Sequence, residues 1–309
     1  MIARSPDDVT AAVLAEAART PDARQREILL AAVTHLHAFV REARLTEAEF
    51  FRLCAAIARA GQLTTASHNE VVLCAGSLGV SALVCLMNNG AGGTQETTAN
   101  LLGPFWRTGA PVLASGASIV HSPTPGPAVI VHATVVDPAG RPVEGAEVDV
   151  WQASPEGFYE NQDPAQADMN LRGRFVTDAA GGFEFRTVKP AGYPVPVNGP
   201  VGDLLRLQGR HNLRPAHIHF LIAKPGFKTQ FAQLYASDDP LLDSDVQFAV
   251  TQALVGHFVR HDGVDGGEPW YTLDHRFVIE PGESRLPVPP ISGKADGERP
   301  RLEVLQRRT

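Results

Sequence analysis

Tyrosine, tryptophan, methionine and cysteine are scarce in this 309-residue chain, at four, three, three and three copies. The three cysteines, Cys54, Cys74 and Cys85, are an odd number set in apolar helical patterns, which excludes a disulfide framework and predicts buried, reduced thiols. Long apolar runs are also missing: "VSALVCLM" is among the longest, far short of the roughly 20 residues that a membrane-spanning helix needs. The opening "MIARSPDDVTAAV" has no apolar core of a secretory signal, so the expected location is the cytoplasm. Basic blocks are absent beyond the terminal "QRRT", and 27 Lys and Arg against 34 Asp and Glu leave a net charge of -7. Nucleic acid and anionic membranes are therefore disfavoured as partners, and a small molecule is favoured.

Apolar residues are plentiful at 44%, enough for one large domain or two ordinary ones. The first hundred residues carry helix start signals. Ser5, Pro6, Asp7 and Asp8 read as an N-cap followed by proline and acidic residues in the first turn. Thr20-Pro21-Asp22 opens a segment through "ILLAAVTHLHAFVREA", and Thr46 with Glu49 forms a capping box before "FFRLCAAIARAG", where Gly61 is expected to end the helix. Ser67 with Glu70 forms another box before "VVLCAGSLGVSALVCLM". After "NNGAGGTQETTAN" the hydrophobic period changes to two, in "AVIVHATVVD", "AEVDVWQA", "RFVTD", "GFEFRTV", "HIHFLIA", "TQFAQLYA" and "HRFVIEPG". "DPAGRP" and "DAAGG" read as tight hairpin connections. No long helical pattern separates the early strands, so a parallel βαβ sheet is disfavoured. The expectation is an α+β chain: a helical domain over 1–98, a mostly antiparallel β-sandwich over 99–290, and an extended tail over 291–309.

Within "RPAHIHF", His217 and His219 share one face of a strand while Ile218 and Phe220 take the other. Such a pair suits two ligands on one metal, an acid/base pair, or an ordinary half-buried strand. No Cys, Asp or Glu stands nearby to complete a zinc set. Two of the four tyrosines occupy unusual settings: Tyr159 in "SPEGFYE", just past a strand, and Tyr193 in "KPAGYPVP", between glycine and proline. Each alone reads as a turn or packing residue. Together with the histidines, two phenolates would form a hard anionic set suited to ferric iron.

The stretches "VVDPAGRPVEGAEVDVWQASPEGFY", "MNLRGRFVTDAAGGFEFRTVKPAGYPVPVNGP" and "GRHNLRPAHIHFLIAKPGFKTQFAQLY" resemble the intradiol ring-cleavage dioxygenases, over about 94–250. The helical N-terminus is similar to the catechol and hydroxyquinol branches. The resemblance implies a non-heme Fe(III) held by Tyr159, Tyr193, His217 and His219, in a β-sandwich whose N-terminal helical domain makes a homodimer. It also implies a possible phospholipid at that interface. The implied reaction cleaves an aromatic vicinal diol with O2 between its hydroxyl-bearing carbons, giving a dicarboxylic acid. Tyr193 is then a catalytic base as well as a ligand, Arg214 stabilises charge on the ring, and Gln233 stands beside the same carbon.

The same resemblance implies a substrate pocket of Leu73, Gly76, Leu101, Pro104, Phe105, Phe248, Ala249 and Val250, each of which also suits ordinary core packing. "GPFWRTGAP", "YPVPVNGPVGDLL" and "DPLLDSD" look most like the hydroxyquinol (benzene-1,2,4-triol) branch. Gln233 is usual in catechol enzymes, and Gly76 stands where hydroxyquinol enzymes often carry an aspartate, so catechol or a substituted catechol stays open. Two other classes remain as contrasts: an iron-free, transthyretin-like binding module, and a zinc hydrolase built on the histidine pair.

Overall fold

In the computed structural model, the described residues are 2–65, 68–88, 99–263, 267–294, 299 and 301–307. The chain divides into two compact units, residues 1–58 and 59–309. In the first, helix α1 (Pro6–Ala17) begins at Ser5, whose hydroxyl accepts from Asp8 N while the Asp8 carboxylate accepts from Ser5 N at 2.9 Å. Helix α2 (Ala23–Glu42) is capped by Asp22, which accepts from Gln25 N at 2.7 Å. Arg41 of α2 pairs with Asp7 of α1 and donates to Thr10 Oγ1 at 2.7 Å, tying the two helices together. Neither helix has a buried residue, and Ile28, Leu36 and Phe39 are exposed on α2.

Helix α3 (Glu47–Leu63) starts at the expected Thr46–Glu49 box, with Thr46 N donating to Glu49 Oε2 at 2.9 Å. It does not end at Gly61. It runs on to Leu63, because the stop comes from Thr64, whose hydroxyl donates to Ala60 O at 3.0 Å and whose N–H donates to Gly61 O. The expected Ser67 cap lies outside the described residues. The N-cap of α4 (Glu70–Ser77) is Asn69, which accepts from Val72 N at 3.0 Å. The apolar run that follows is two helices: α4 stops at Leu78, Gly79 takes φ +74°, and α5 (Val80–Asn88) leaves at 76°. Only glycine adopts that left-handed backbone at little cost, which is why the break falls there. No single helix among the described residues is long and apolar enough to cross a membrane.

The remaining chain is a two-sheet sandwich. Its strands are β1 (Ala128–Val136), β2 (Glu147–Gln152), β3 (Arg172–Val176), β4 (Gly182–Val188), β5 (Tyr193–Pro194), β6 (Leu213–Arg214), β7 (His217–Ala223), β8 (Gln230–Ala236), β9 (Val255–Gly256), β10 (Phe258–His261) and β11 (Trp270–Val278). One sheet has the order β10-β11-β1-β4, the other β3-β2-β7-β8-β9, and β5 pairs with β6 apart from both. Pairing is mostly antiparallel, with β1–β11 and β8–β9 parallel. The "DPAGRP" and "DAAGG" turns are tight, but they carry the chain from one sheet to the other, since β1 and β2, like β3 and β4, lie in different sheets.

Alternation places Val129, Val131, Phe183 and Phe185 of one sheet against Val148, Val150, Ile218, Phe220 and Ile222 of the other. A sixth helix, α6 (Pro200–Gln208), was not expected from "GPVGDLLRLQG". Proline opens it and Gly209, at φ +65°, closes it. The described residues after Pro281 form no regular element, yet Ile291 is buried and Leu305 N donates to Asn212 Oδ1 at 2.9 Å. The cysteines depart from expectation: Cys54 is exposed, and Cys74 and Cys85 are half-buried.

Candidate active site

Register builds the site. Across the sheet, His217 faces Tyr235, and His219 faces Gln233 on β8 and Trp151 on β2, so five functional side chains share the sheet face opposite the core. The Trp151 indole stacks on the His219 ring at 4.7 Å with planes 12° apart, which fixes the imidazole's orientation. Tyr159 arrives from the turn after β2, where Gly157 at φ +86° brings the backbone against Tyr193, and it opens a short 3₁₀ turn. Tyr193 arrives on β5, directly opposite Arg214 of β6. Segments remote in sequence thus converge.

The convergence is close. Tyr159 Oη lies 2.8 Å from His219 Nε2, 3.1 Å from Tyr193 Oη and 3.5 Å from His217 Nε2, and the two imidazole Nε2 atoms are 3.1 Å apart. His217 Nδ1 donates to Pro215 O at 2.7 Å, so its Nε2 carries the free lone pair and points into the cluster. His219 Nδ1 is buried without a hydrogen-bond partner among the described residues. Burial, reinforced by the Arg214 cation, pushes His217 down to about 3, and burial with His217 and Arg214 beside it holds His219 well below the ordinary range. Both imidazoles are therefore neutral. Burial and the neighbouring Tyr193 hold the Tyr159 phenol well above its usual value, so only an added cation would ionise it near neutral pH.

Two buried ion pairs flank the cluster. Arg214 Nε and Nη2 donate to the two Asp245 oxygens at 3.1 Å each, Nη2 also donates to Gln233 Oε1 (2.9 Å) and Tyr235 Oη (2.8 Å), and Nη1 lies 3.3 Å from His217 Nε2. Arg172 Nε donates to Glu160 Oε1 at 2.6 Å beside Tyr159. Asp245 faces Arg214, whereas Glu160 is shared by Arg172 and by Arg107, whose Nη1 lies 3.5 Å from Oε1.

Above the cluster opens a largely apolar cavity of about 750 Å³. Leu73, Leu101, Pro104, Phe105, Tyr193 and Arg214 line it. Phe105 also stacks on Tyr159 at 4.5 Å. Phe248, Ala249 and Val250 do not line it: Phe248 is half exposed beneath Arg210, Ala249 and Val250 pack into the sandwich core, and the neighbouring Gln247 takes the wall position. Gly76 carries nothing into the cavity, and the Gln247 amide fills the space beside it. Sequence reading missed Asp245, Gln247, Trp151 and Tyr235. Asp245 and Gln247 sit in "LLDSDVQFAV", beside the expected pocket residues Phe248, Ala249 and Val250, and their partners lie 31 and 170 residues away.

A sandwich carrying a buried His₂Tyr₂ cluster beneath a largely apolar cavity, with Arg214 on its wall, has the donors for a metal ion and the space for a small apolar ligand. The family described as "Dioxygenase" matches residues 101–281, and "Catechol dioxygenase N terminus" matches residues 22–95. The chain is 40% identical over 276 residues to the 6-chlorohydroxyquinol 1,2-dioxygenase of Cupriavidus pinatubonensis, covering 89% of this chain and 97% of that one. It is 34% identical to the catechol 1,2-dioxygenase of Candida albicans, covering 83% and 86%. Among solved structures, the hydroxyquinol 1,2-dioxygenase of Pseudomonas putida DLL-E4 superposes with a TM-score of 0.81 at 35% identity, covering 90% of this chain and 99% of that one. This chain belongs to the intradiol ring-cleavage dioxygenases and is an enzyme of that family.

Proposed function

We propose that this enzyme is a hydroxyquinol 1,2-dioxygenase that uses ferric iron held by Tyr159, Tyr193, His217 and His219. The observation that carries the iron assignment is the mutual approach of the four donor atoms, 2.8–3.5 Å apart wherever a contact is made, at a buried position beneath the cavity, and the similarity to hydroxyquinol 1,2-dioxygenases supports the substrate. The donor set fits a hard trivalent cation. Two imidazoles kept neutral by burial present nitrogen lone pairs, and two phenols can each lose a proton to offset charge. Among the described residues no group of three His, Cys, Asp or Glu could hold a metal, so the usual zinc set has no counterpart here.

When bound, ferric iron supplies the Lewis acidity that holds a vicinal diolate and the covalency that makes its ring reactive towards O2. The protein's own contribution is positional and electrostatic. Tyr193 borders the cavity whereas Tyr159 is fully enclosed, so Tyr193 Oη is the base placed to accept a substrate hydroxyl proton and Tyr159 is the permanent anion. Arg214, locked by Asp245, Gln233 and Tyr235, presents a fixed cation to charge developing on the ring. Leu73, Leu101, Pro104 and Phe105 hold the ring's apolar faces and exclude water. Both oxygen atoms of O2 enter the product, a 3-hydroxymuconate or its keto form, maleylacetate.

A second reading, cleavage of catechol to cis,cis-muconate, is favoured by the mostly apolar lining of the cavity. The exposed apolar residues of α2 and α3, including Leu36, Phe39, Phe50 and Phe51, also support a homodimer formed through the helical domain over 1–98, where a phospholipid would bind at the interface. The decisive experiment is a visible spectrum of the iron-loaded protein before and after anaerobic addition of hydroxyquinol or catechol. A red, broad phenolate-to-iron band that moves to longer wavelength, at lower concentration for hydroxyquinol, is expected. A protein that stays colourless after iron loading would refute the ligand assignment, and a shift at lower concentration for catechol would favour the second reading.

A further inference from the structure

Gln247 is a buried polar side chain on the cavity wall that belongs neither to the donor cluster nor to the hydrogen bonds that lock the Arg214 guanidinium. Its backbone N–H donates at 3.2 Å to Asp245 Oδ1, the same oxygen that accepts from Arg214 Nε. Through that shared carboxylate the position of Gln247 is set relative to Arg214, and so to the diol site that Arg214 borders. One end of its amide is spent on Ser77, with Nε2 donating to Oγ at 2.9 Å. The other end makes no hydrogen bond with the described residues.

Of the other amides on the wall, Asn100 is engaged at both ends, while Gln162 and Asn69, each accepting from one backbone N–H, are only partly buried. Asn100 donates to Ala249 O at 2.6 Å and accepts from Leu101 N at 2.5 Å, and Gln162 Oε1 accepts from Tyr159 N at 3.1 Å. The placement of Gln247 also depends on its neighbour. A Cβ at Gly76 would lie 1.7 Å from Gln247 Oε1 and 2.7 Å from Cδ, so the amide occupies the volume that any larger residue at 76 would fill. The glycine and the glutamine are one device: the first leaves room on α4, and the second puts a polar group there.

We propose that Gln247 is the specificity-determining residue that hydrogen-bonds a third hydroxyl on the substrate ring, seated by the absence of a side chain at Gly76. The proposal rests on the hydroxyquinol reading above. The free Oε1 can accept from a phenolic hydroxyl, whereas a ring without that hydroxyl leaves it unpaired. Discrimination therefore falls on the triol against the plain diol.

The test compares kcat/KM and anaerobic Kd for hydroxyquinol and catechol in the iron-loaded wild type, Gln247→Leu and Gly76→Ala. Gln247→Leu keeps the volume and removes the amide, and should lower the hydroxyquinol-to-catechol ratio about 10- to 100-fold in kcat/KM, with Kd moving in the same direction. Gly76→Ala suits the helix but displaces the amide, and should lower the same ratio by about 5-fold or more. It decides the matter alone if Gln247→Leu does not fold. Equal losses on both substrates, or ratios within about twofold of wild type in the folded variants, would overturn the role of Gln247. A wild type that cleaves catechol but not hydroxyquinol would overturn the parent reading instead, and that result is known before any variant is made.

Discussion

Replacing Asp245 with asparagine is the sharpest probe of how the site is held, because one atom is changed and the shape is kept. The carboxylate is 4% exposed and accepts from Arg214 Nε and Nη2 at 3.1 Å each, and from the backbone N–H groups of Gln247 (3.2 Å) and Ala249 (3.1 Å). An amide in its place turns an NH2 group towards one of those donors and leaves a 4% exposed guanidinium without its counter-charge. At about 4 Å between charge centres and an effective dielectric near 20, the lost attraction is about 4 kcal/mol, within the roughly 3–5 kcal/mol seen when one partner of a buried pair is removed. Gln233 Oε1 and Tyr235 Oη still accept from Nη2, so the fold should survive and the loss should be measurable by urea unfolding.

The same substitution should lower kcat/KM about 10- to 100-fold, as the guanidinium is no longer aimed by two points of contact. It should also change the acid response. Burial opposes the Asp245 charge, but Arg214 and the two backbone donors outweigh it and hold the carboxyl below its ordinary range. Its stabilisation is therefore fully present above the unfolded carboxyl value of about 3.9 and fades as pH falls through the lower folded value. The gap between wild type and Asp245→Asn should be constant from about pH 6 to 8 and narrow in acid below about pH 4. A variant within about 1 kcal/mol of wild type, with unchanged kcat/KM, would refute the view that Asp245 positions Arg214.

Glu70 is buried at the start of α4 and accepts from Val201 N in the first turn of α6 at 3.0 Å and from His68 at 2.8 Å. Burial opposes its charge, but His68, the Val201 N–H and Arg59 prevail and lower its pKa; Glu70→Gln should cost about 1–2 kcal/mol above the unfolded carboxyl value, a deficit that shrinks as pH falls through the folded one, read from urea midpoints across pH. Phe220 is fully buried in the core, on the strand face opposite His217 and His219, so Phe220→Ala should cost about 3–5 kcal/mol while leaving the visible band of the iron-loaded protein unmoved. Tyr159→Phe removes the enclosed phenol and should weaken and shift the phenolate-to-iron band, leaving only the Tyr193 contribution, and reduce bound iron, measured by metal analysis, with circular dichroism unchanged.

Legibility followed the reach of each interaction. The period of two in "HIHFLIA" put His217 and His219 on one face and Ile218, Phe220 and Ile222 on the other, and the sheet keeps that division. Local capping signals at Ser5 and Thr46 likewise marked helix starts, and Thr20-Pro21-Asp22 marked another, where the cap is Asp22 and the helix begins at Ala23, since a cap is decided within four residues. Alternation says which face a residue takes but not which strand lies beside it, so the parallel pairing of β1 with β11 and the crossing of "DPAGRP" and "DAAGG" between sheets could not be read from it. The run across Leu78 and Gly79 is apolar throughout, which hides a break that a single left-handed glycine makes.

The site divides along the same line, and the division has a physical cause. The donor residues are chemically unusual for their settings, two imidazoles in a core strand and two tyrosines in turns, and rarity made them visible. Asp245 and Gln247 are common residues in a loop of common composition. What makes them consequential is burial, which the loop acquires only when Arg214 supplies the counter-charge for Asp245 and Gly76 the space for Gln247. A charged or amide side chain can be kept dry only where a partner already waits. Hence the parts of this site that tune the reaction, rather than the parts that define it, are readable only once the chain has been folded.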